Sequence, residues 1–146
     1  MQRRIIANDV LVPEIVRLIS EGSKVTFTPK GVSMLPFIRG GRDSVVLRSP
    51  VDIRKGDIVL AQVGSSYVLH RVIEIDDTTV ILMGDGNIIG VEKCRASDIL
   101  AMAEKIIKEG KEIDCRSESH LRKAGIWGKL KPVRPYLLAI YKRIIL

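Results

Sequence analysis

One serine of this chain lies within an apolar stretch, where a hydroxyl does not help to form a hydrophobic core. Ser33 lies between Val32 and Met34 in the stretch GVSMLPFIRGGRD, and a buried hydroxyl without a partner costs free energy. Gly31 permits an unusual backbone angle or a close approach by another segment, and Pro36 forces the residue before it to be extended. Such a segment can hold a hydroxyl at the lip of an apolar groove, beside backbone N–H groups. Acyl transfer needs this arrangement and a nearby base.

A base for this serine must come from elsewhere in the chain, which has two histidines. His70 lies in the run YVLHRVIEI, where Val68 and Val72 share its face of a strand; taken alone, it is typical of a half-buried strand residue. His120 lies in the polar run CRSESH, and we expect it to be exposed. Asp85, in MGDGN directly after an apolar run, is typical of a tight turn. Each residue alone therefore has a structural interpretation beside the catalytic one.

The elements that must position these residues are mostly short β-like runs. They are rich in Val, Ile, Thr and Tyr and are separated by Gly, Pro or Asp: KVTFT, DSVVLRS, DIVLAQV, YVLHRVIEI and TTVILM. This pattern predicts a mainly antiparallel sheet or a partly closed barrel. An N-terminal helix over about residues 9–21 precedes it, capped by Asn8 or Asp9 and ended by Gly22. Residues 98–115 allow either a helix over 98–109 or a hairpin that turns at KEGK.

The excess positive charge lies in the C-terminal tail. Residues 1–115 carry 16 basic and 16 acidic side chains, whereas residues 116–146 carry eight basic side chains and a single acid, Glu118. The pattern of residues in the tail, which include one Trp and two Tyr, predicts one or two short basic amphipathic helices. Such a tail associates with an anionic membrane surface or docks on its own sheet. Nucleic-acid binding is disfavoured because no recognition helix is recognisable.

Length and composition limit the classes of protein to which the chain can belong. A chain of 146 residues with 46% hydrophobic and 28% charged residues indicates one globular domain. No run of about 18 apolar residues is present, and the N-terminus is a poor signal peptide. Cys94 and Cys115 form neither a disulfide framework nor a zinc motif, so we expect free thiols. We predict no cofactor and no metal, and a protein that is cytoplasmic or peripheral at a membrane; the oligomeric state is left open.

Four motifs, taken in order over about residues 24–90, carry a resemblance to a known family. GVSMLPFIRGGRDSVVL, RKGDIVLAQ, YVLHRVIEI and ILMGDGN resemble the successive boxes of the type I signal peptidase superfamily, which includes the LexA-type self-cleaving domains. The resemblance implies that Ser33 is the nucleophile of a serine endopeptidase. His70 stands where bacterial signal peptidases and LexA-type domains have a lysine, and HRV is similar to the archaeal and endoplasmic-reticulum branch. A neutral imidazole can accept the serine proton without the desolvation that a lysine base requires.

The same resemblance implies the architecture and the cleft. Residues 1–115 form a mainly β catalytic domain, an antiparallel and partly closed barrel or coiled sheet, and residues 116–146 form a helical tail; residues 98–115 then become a hairpin. The cleft is lined by Val32, Met34, Leu35 and Pro36. The oxyanion site consists of the backbone N–H groups of Ser33 and Val32. The substrate is a peptide or protein, a leader or precursor, that docks as an extended strand.

The chain departs from the resemblance at the acid that orients the histidine. Gly90 and Val91 stand where the histidine branch has an acidic residue. Asp85 is therefore the first candidate to orient His70, and Glu92 is a less favoured second. The family also carries a membrane helix, for which this sequence has no counterpart.

Three alternatives to a peptidase stay open at this stage. The chain can be a peptidase-like module that binds peptides without turnover, which the missing acid favours. It can cleave itself in the LexA manner, since Ala124 and Gly125 form an Ala-Gly bond in the tail. The basic tail can bind nucleic acid. The joint presence of Ser33 and His70 favours the active peptidase.

Overall fold

A computed structural model describes residues 3–6 and 12–145. Three α-helices lie in this part of the chain: α1 (Val12–Ser20), α2 (Glu118–Lys129) and α3 (Arg134–Ile145). Short 3-10 helices occur at Ala96–Asp98 and Lys131–Val133. The described residues form nine strands, which are β1 (Arg3–Ile6), β2 (Lys24–Phe27), β3 (Ser44–Arg48), β4 (Ile58–Val63), β5 (Ser66–Ile75), β6 (Val80–Met83), β7 (Glu92–Cys94), β8 (Ile99–Lys108) and β9 (Lys111–Asp114).

All nine strands belong to one sheet. Its order is β1-β2-β3-β8-β4-β5-β6-β7, and β9 pairs with β8 beside this path. The pairs are antiparallel except for β1 with β2, which is parallel. Among the described residues β1 and β7, at the two ends, do not pair, so the sheet is open. The prediction of a mainly β, antiparallel fold with an N-terminal helix and a helical tail is confirmed.

Helix α1 covers one side of the sheet through an apolar stripe. Ile15, Leu18 and Ile19 are buried in a core cluster with residues of β2, β3 and β8. The helix ends where Gly22 adopts a φ of 91° and donates its N–H to the carbonyl of Ile19 at 2.9 Å, as a left-handed C-cap does. The predicted cap at Asn8 or Asp9 lies outside the described residues.

Residues 98–115 form the predicted hairpin rather than a helix. Strand β8 pairs with β3 along one edge, and with β4 and then β9 along the other. Glu109 and Gly110 make the turn with φ values of 50° and 82°. Because β8 is paired on both edges and alternates between core clusters, it is the central strand that joins the two halves of the sheet.

The tail folds back onto the sheet. His120 of α2 and both Arg134 and Leu138 of α3 are buried, so the helices of the tail dock on their own domain through one face. In the described part of the chain, no helix combines the length and the apolar character needed to cross a membrane.

Candidate active site

The loop that carries Ser33 joins β2 to β3 and is fixed at its base. The hydroxyls of Thr28 and Ser44 are hydrogen-bonded at 2.8 Å. Asp43 is fully buried and accepts the backbone N–H of Arg39 and the ammonium of Lys108, each at 2.7 Å. Although burial alone would raise the pKa of the Asp43 carboxyl, these donors hold it below its ordinary value. The buried carboxylate therefore anchors the loop to β8.

Two glycines of the motif allow the loop to close on itself. Gly31 has a φ of 88°, in the left-handed region that glycine enters without strain. A Cβ atom on Gly40 would lie 1.9 Å from the carbonyl oxygen of Gly31. A side chain at position 40 is therefore sterically excluded, and the two backbones meet directly. This closure leaves Ser33 half-buried at the edge of the loop.

The turn after β6 packs against Ser33 with no side chain between. Gly86 donates its N–H to the carbonyl of Ser33 at 2.7 Å, and a Cβ on Gly86 would lie 2.1 Å from the carbonyl oxygen of Val32. A Cβ on Gly84 would lie 2.4 Å from the Ser33 carbonyl and 3.0 Å from Nε2 of His70. Because Gly84 has no side chain, the turn can lie this close to both the backbone of Ser33 and Nε2 of His70.

Ser33 and His70 line one cavity of about 220 Å³. The cavity is also lined by Met34, Ile38, residues 29–31 and residues 67–69 of β5. Among the described residues, no hydrogen bond joins the Ser33 hydroxyl to His70. Catalytic hydrogen bonds are often long in unliganded enzymes and tighten when substrate binds. The structure therefore brings together the predicted nucleophile and the predicted base.

The acid that holds His70 is Glu92. Nδ1 of His70 lies 2.5 Å from Oε1 of Glu92, and the two side chains are 9% and 23% exposed. Glu92 begins β7, which pairs with β6, while β6 pairs with β5, the strand of His70. When Nδ1 carries the proton and donates it to Glu92, Nε2 has a free lone pair on the side of Gly84 and Ser33.

The prediction that Asp85 orients His70 is wrong. Asp85 accepts two hydrogen bonds from Arg71, from Nε at 2.8 Å and from Nη2 at 2.7 Å, and both side chains are 6% exposed. His70 and Arg71 are neighbours on β5, so their side chains leave opposite faces of the strand. Asp85 lies on the face of Arg71, whereas Glu92 lies on the face of His70. The less favoured candidate is therefore the partner of the histidine.

Replacing Asp85 with asparagine is expected to lower the free energy of unfolding by about 3–5 kcal/mol, because it leaves the guanidinium of Arg71 buried without a counter-charge. Urea unfolding followed by circular dichroism measures the change. Asp77→Asn, which neutralises an exposed carboxylate, is the matched control and should change stability by less than about 0.5 kcal/mol. An Asp85→Asn variant as stable as this control would contradict the assigned pairing.

His120 is buried, so the prediction of an exposed residue is wrong. Nη1 of Arg71 donates to Nε2 of His120 at 3.2 Å and to the carbonyl of Gly56 at 2.8 Å. Phe37 packs edge-on against the His120 ring, with centroids 5.3 Å apart. Burial, together with the charge of Arg71, lowers the pKa of His120 to about 4. The neutral imidazole thus ties α2 to the Arg71–Asp85 pair.

This histidine should make the protein sensitive to acid. The unfolded chain binds a proton at His120 with a pKa near 6.5, whereas the folded chain does so with a pKa of about 4. Stability is therefore lost as the pH falls below 6.5, and the loss levels off below 4. We expect about 2 kcal/mol of loss between pH 7.5 and pH 5. Urea midpoints at both pH values, compared with His120→Gln, isolate this contribution; an unchanged pH dependence in the variant would contradict it.

The four predicted cleft residues lie in different surroundings in the structure. Met34 lines the cavity, and Val32 is 42% exposed. Leu35 is buried in the core, and Pro36 lines a separate depression beside His120. Within residues 12–145, the backbone N–H groups of Val32 and Ser33, the predicted oxyanion donors, donate to no acceptor.

The tail holds the turn that packs against Ser33, a role that the sequence analysis missed. Trp127 donates its indole N–H to the carbonyl of Asp85 at 2.7 Å, and Arg134 donates to the carbonyl of Asn87 at 3.1 Å. The guanidinium of Arg134 also stacks on the Trp127 ring at 5.2 Å. The sequence signal for this role was a Trp and an Arg seven residues apart in the amphipathic tail. The helices thereby hold in place the turn that contacts Ser33.

Comparison with known proteins finds no family model and no curated protein that matches the chain. In the described ranges, no three His, Cys, Asp or Glu side chains are grouped so that they could hold a metal ion. The functional interpretation therefore stands on the motifs of the chain and on the geometry of Ser33, His70 and Glu92.

Proposed function

We propose that the protein is a serine endopeptidase of the signal peptidase type, with Ser33 as nucleophile, His70 as general base and Glu92 as the residue that positions His70. One observation carries the proposal: the imidazole is held at Nδ1 by a carboxylate, while its Nε2 lies beside the backbone of Ser33 on a shared cavity. A nucleophile, a base and a group that orients the base are the three parts of an activated serine.

The reaction follows from these positions. Oγ of Ser33 attacks the peptide carbonyl carbon and passes its proton to Nε2 of His70. The carboxylate of Glu92 stabilises the imidazolium, and the N–H groups of Val32 and Ser33 donate to the oxyanion. His70 then returns the proton to the leaving amine, which departs and leaves an acyl ester on Ser33. Water, deprotonated by His70, hydrolyses the ester and restores the hydroxyl.

The edge of β5 offers a docking place for an extended peptide. Residues 66–71 of β5 pair with β4, whereas β6 pairs only with residues 71–75. In the described part of the chain, the other edge of residues 66–70 is therefore free of a strand partner, and residues 67–70 line the cavity together with residues 29–31. A peptide added to this edge would run past Ser33. The modest cavity suits a small side chain near the cut, as the resemblance implies.

The test is cleavage of a peptide library rich in Ala-x-Ala sites, with the products identified by mass spectrometry. We expect specific cleavage by the wild-type protein and none by His70→Ala. The library also reports the sequence preference and the cut position. A protein that binds library peptides but releases no product from any of them would instead be a peptide-binding module.

Self-cleavage has less support. Ala124 and Gly125 lie inside α2, where the peptide bond is helical and its backbone is not free to dock as a strand. For the compartment, we propose the cytoplasm or the cytoplasmic periphery of a membrane, because Cys94 and Cys115 are both free and buried, as is usual in a reducing environment.

A further inference from the structure

The two faces of helix α3 have different surroundings. Arg134 and Leu138 are buried against the sheet domain. Tyr136, Leu137, Ile140 and Ile144 are 72%, 37%, 58% and 79% exposed. The last three are spaced by three and four residues and share one side of the helix. This outer face of α3, defined by these four residues, is an exposed apolar surface.

A second group of exposed apolar residues lies near the start of α3. The loop of residues 88–91 exposes Ile88 by 51% and Ile89 by 88%. It directly follows Asn87, whose carbonyl accepts the hydrogen bond from Arg134 at the start of α3. Isolated exposed apolar residues are ordinary, but several of this size on one helix and a nearby loop mark an interaction site.

The charge around these residues identifies the partner. Residues 119–146 carry seven basic side chains and no acidic one. Lys129, Lys131 and Arg143 are exposed on the same two-helix tail. A second copy of the chain would bring like charges together at such a face. The face exposes a single aromatic ring, that of Tyr136, whereas sites for single-stranded nucleic acid stack successive bases on several aromatic side chains. Aliphatic and aromatic groups flanked by cations match the boundary between lipid tails and anionic headgroups.

We propose that the outer face of α3 and the loop of residues 88–91 bind the surface of a membrane that contains anionic lipid. The helix lies in the headgroup region with its apolar residues directed at the acyl chains, and the flanking lysines and arginines contact the headgroups. Binding needs neither turnover nor Ser33, so the inference is independent of the proposed peptidase activity.

The bound membrane would lie beside the candidate active site. Arg134 at the start of α3 contacts Asn87 in the turn that packs on Ser33, and Ile145 at its end accepts a hydrogen bond from Arg42 of the Ser33 loop at 3.4 Å. The loop of residues 88–91 leads directly into Glu92, the partner of His70. A substrate that emerges from or lies on a membrane would therefore meet the cavity at the lipid surface.

Co-sedimentation of the full chain with vesicles tests the inference. The probes are vesicles of phosphatidylcholine alone and vesicles with roughly 30 mol% phosphatidylglycerol. We expect binding to the anionic vesicles that weakens as salt is raised, and little binding to neutral ones. The double variant Ile140→Glu/Ile144→Glu should bind at least about tenfold more weakly. Val51→Glu, which places the same charge at another half-exposed apolar residue, should bind like the wild type.

The same experiment distinguishes lipid from other partners that could bind this face. Circular dichroism confirms that the variants are folded, which we expect because the substituted side chains are exposed. Absence of wild-type binding to anionic vesicles at low salt would overturn the inference, as would equal binding by the double variant. A dimer in light scattering that the double variant dissociates, without vesicle binding, would assign the face to a second copy. Ser33→Ala should bind vesicles like the wild type, which separates this result from the fate of the peptidase proposal.

Discussion

Replacing Ser33 with alanine is expected to reduce the rate of peptide cleavage by about 10⁶-fold, to the level of the uncatalysed reaction plus the contribution of binding. The hydroxyl forms the acyl ester, and without it His70 can only activate water against the peptide bond, which is far slower than attack by a positioned hydroxyl. The fold should be unaffected, because Ser33 is half-buried and makes no side-chain hydrogen bond within residues 12–145. Initial rates on the best library peptide, at saturating and limiting concentration, measure the loss.

The matched control for this variant is Ser65→Ala, which removes a hydroxyl from the exposed turn between β4 and β5. It should leave the rate unchanged. Equal cleavage by Ser33→Ala and Ser65→Ala would assign the activity to another group or to a contaminant. Unchanged urea midpoints in both variants would confirm that the loss is chemical and not a loss of folded protein.

Replacing Glu92 with glutamine is expected to lower kcat/KM by about 10⁴-fold while leaving stability nearly unchanged. The amide is close in shape, but it carries no charge to stabilise the imidazolium, and its NH₂ group favours the wrong tautomer of His70. Glu92 is 23% exposed, and its partner is a histidine rather than a permanently charged guanidinium, so the substitution leaves no permanent charge buried without a counter-charge. The expected result is thus the reverse of Asp85→Asn, which should cost stability.

A loss of rate at unchanged stability separates a role in catalysis from a merely structural one. Glu74→Gln, at an exposed acid on the same strand as His70, is the control and should retain both rate and stability. A Glu92→Gln variant with wild-type rate would show that the His70–Glu92 contact has no part in catalysis.

The sequence was sufficient to predict the mainly β, antiparallel sheet. Alternating runs of Val, Ile and Thr between turn residues have a period that only a strand satisfies, and the glycines around Ser33 signalled a closely packed loop. The hairpin over residues 98–115 was harder, because its residues fit both periods locally. Its strand state depends on pairing with β3 and β4, which are more than 35 residues away in the chain.

The partner of His70 could not be read from spacing alone. Asp85 was the obvious acid because it follows a strand next to His70, but its carboxylate is held by Arg71 on the opposite face of β5. Glu92 comes within reach because residues 88–91 loop outward, with Gly90 at a φ of 94°, before β7 begins. An irregular loop of this kind determines which acid reaches the histidine. It has no periodic pattern from which its path could be predicted.

The burial of His120 was equally hidden from sequence reasoning. The run CRSESH is polar, but Ser117 caps α2 by accepting the backbone N–H of His120 at 3.1 Å, and this start of the helix turns the imidazole toward Arg71. In this buried position, Nε2 of His120 accepts a hydrogen bond from Nη1 of Arg71. Long-range polar partners of this kind are set by the tertiary fold and not by local composition.

The most direct test of the central claim is covalent labelling of Ser33 by a fluorophosphonate, followed by intact-mass measurement and peptide mapping. The wild-type protein should gain one adduct per chain, on Ser33, and labelling should be abolished in Ser33→Ala and strongly slowed in both His70→Ala and Glu92→Gln. That result would establish a serine activated by the His70–Glu92 pair. Absence of an adduct, or labelling of Ser33 at the same rate without His70, would contradict the account and leave the cavity as a peptide-binding groove.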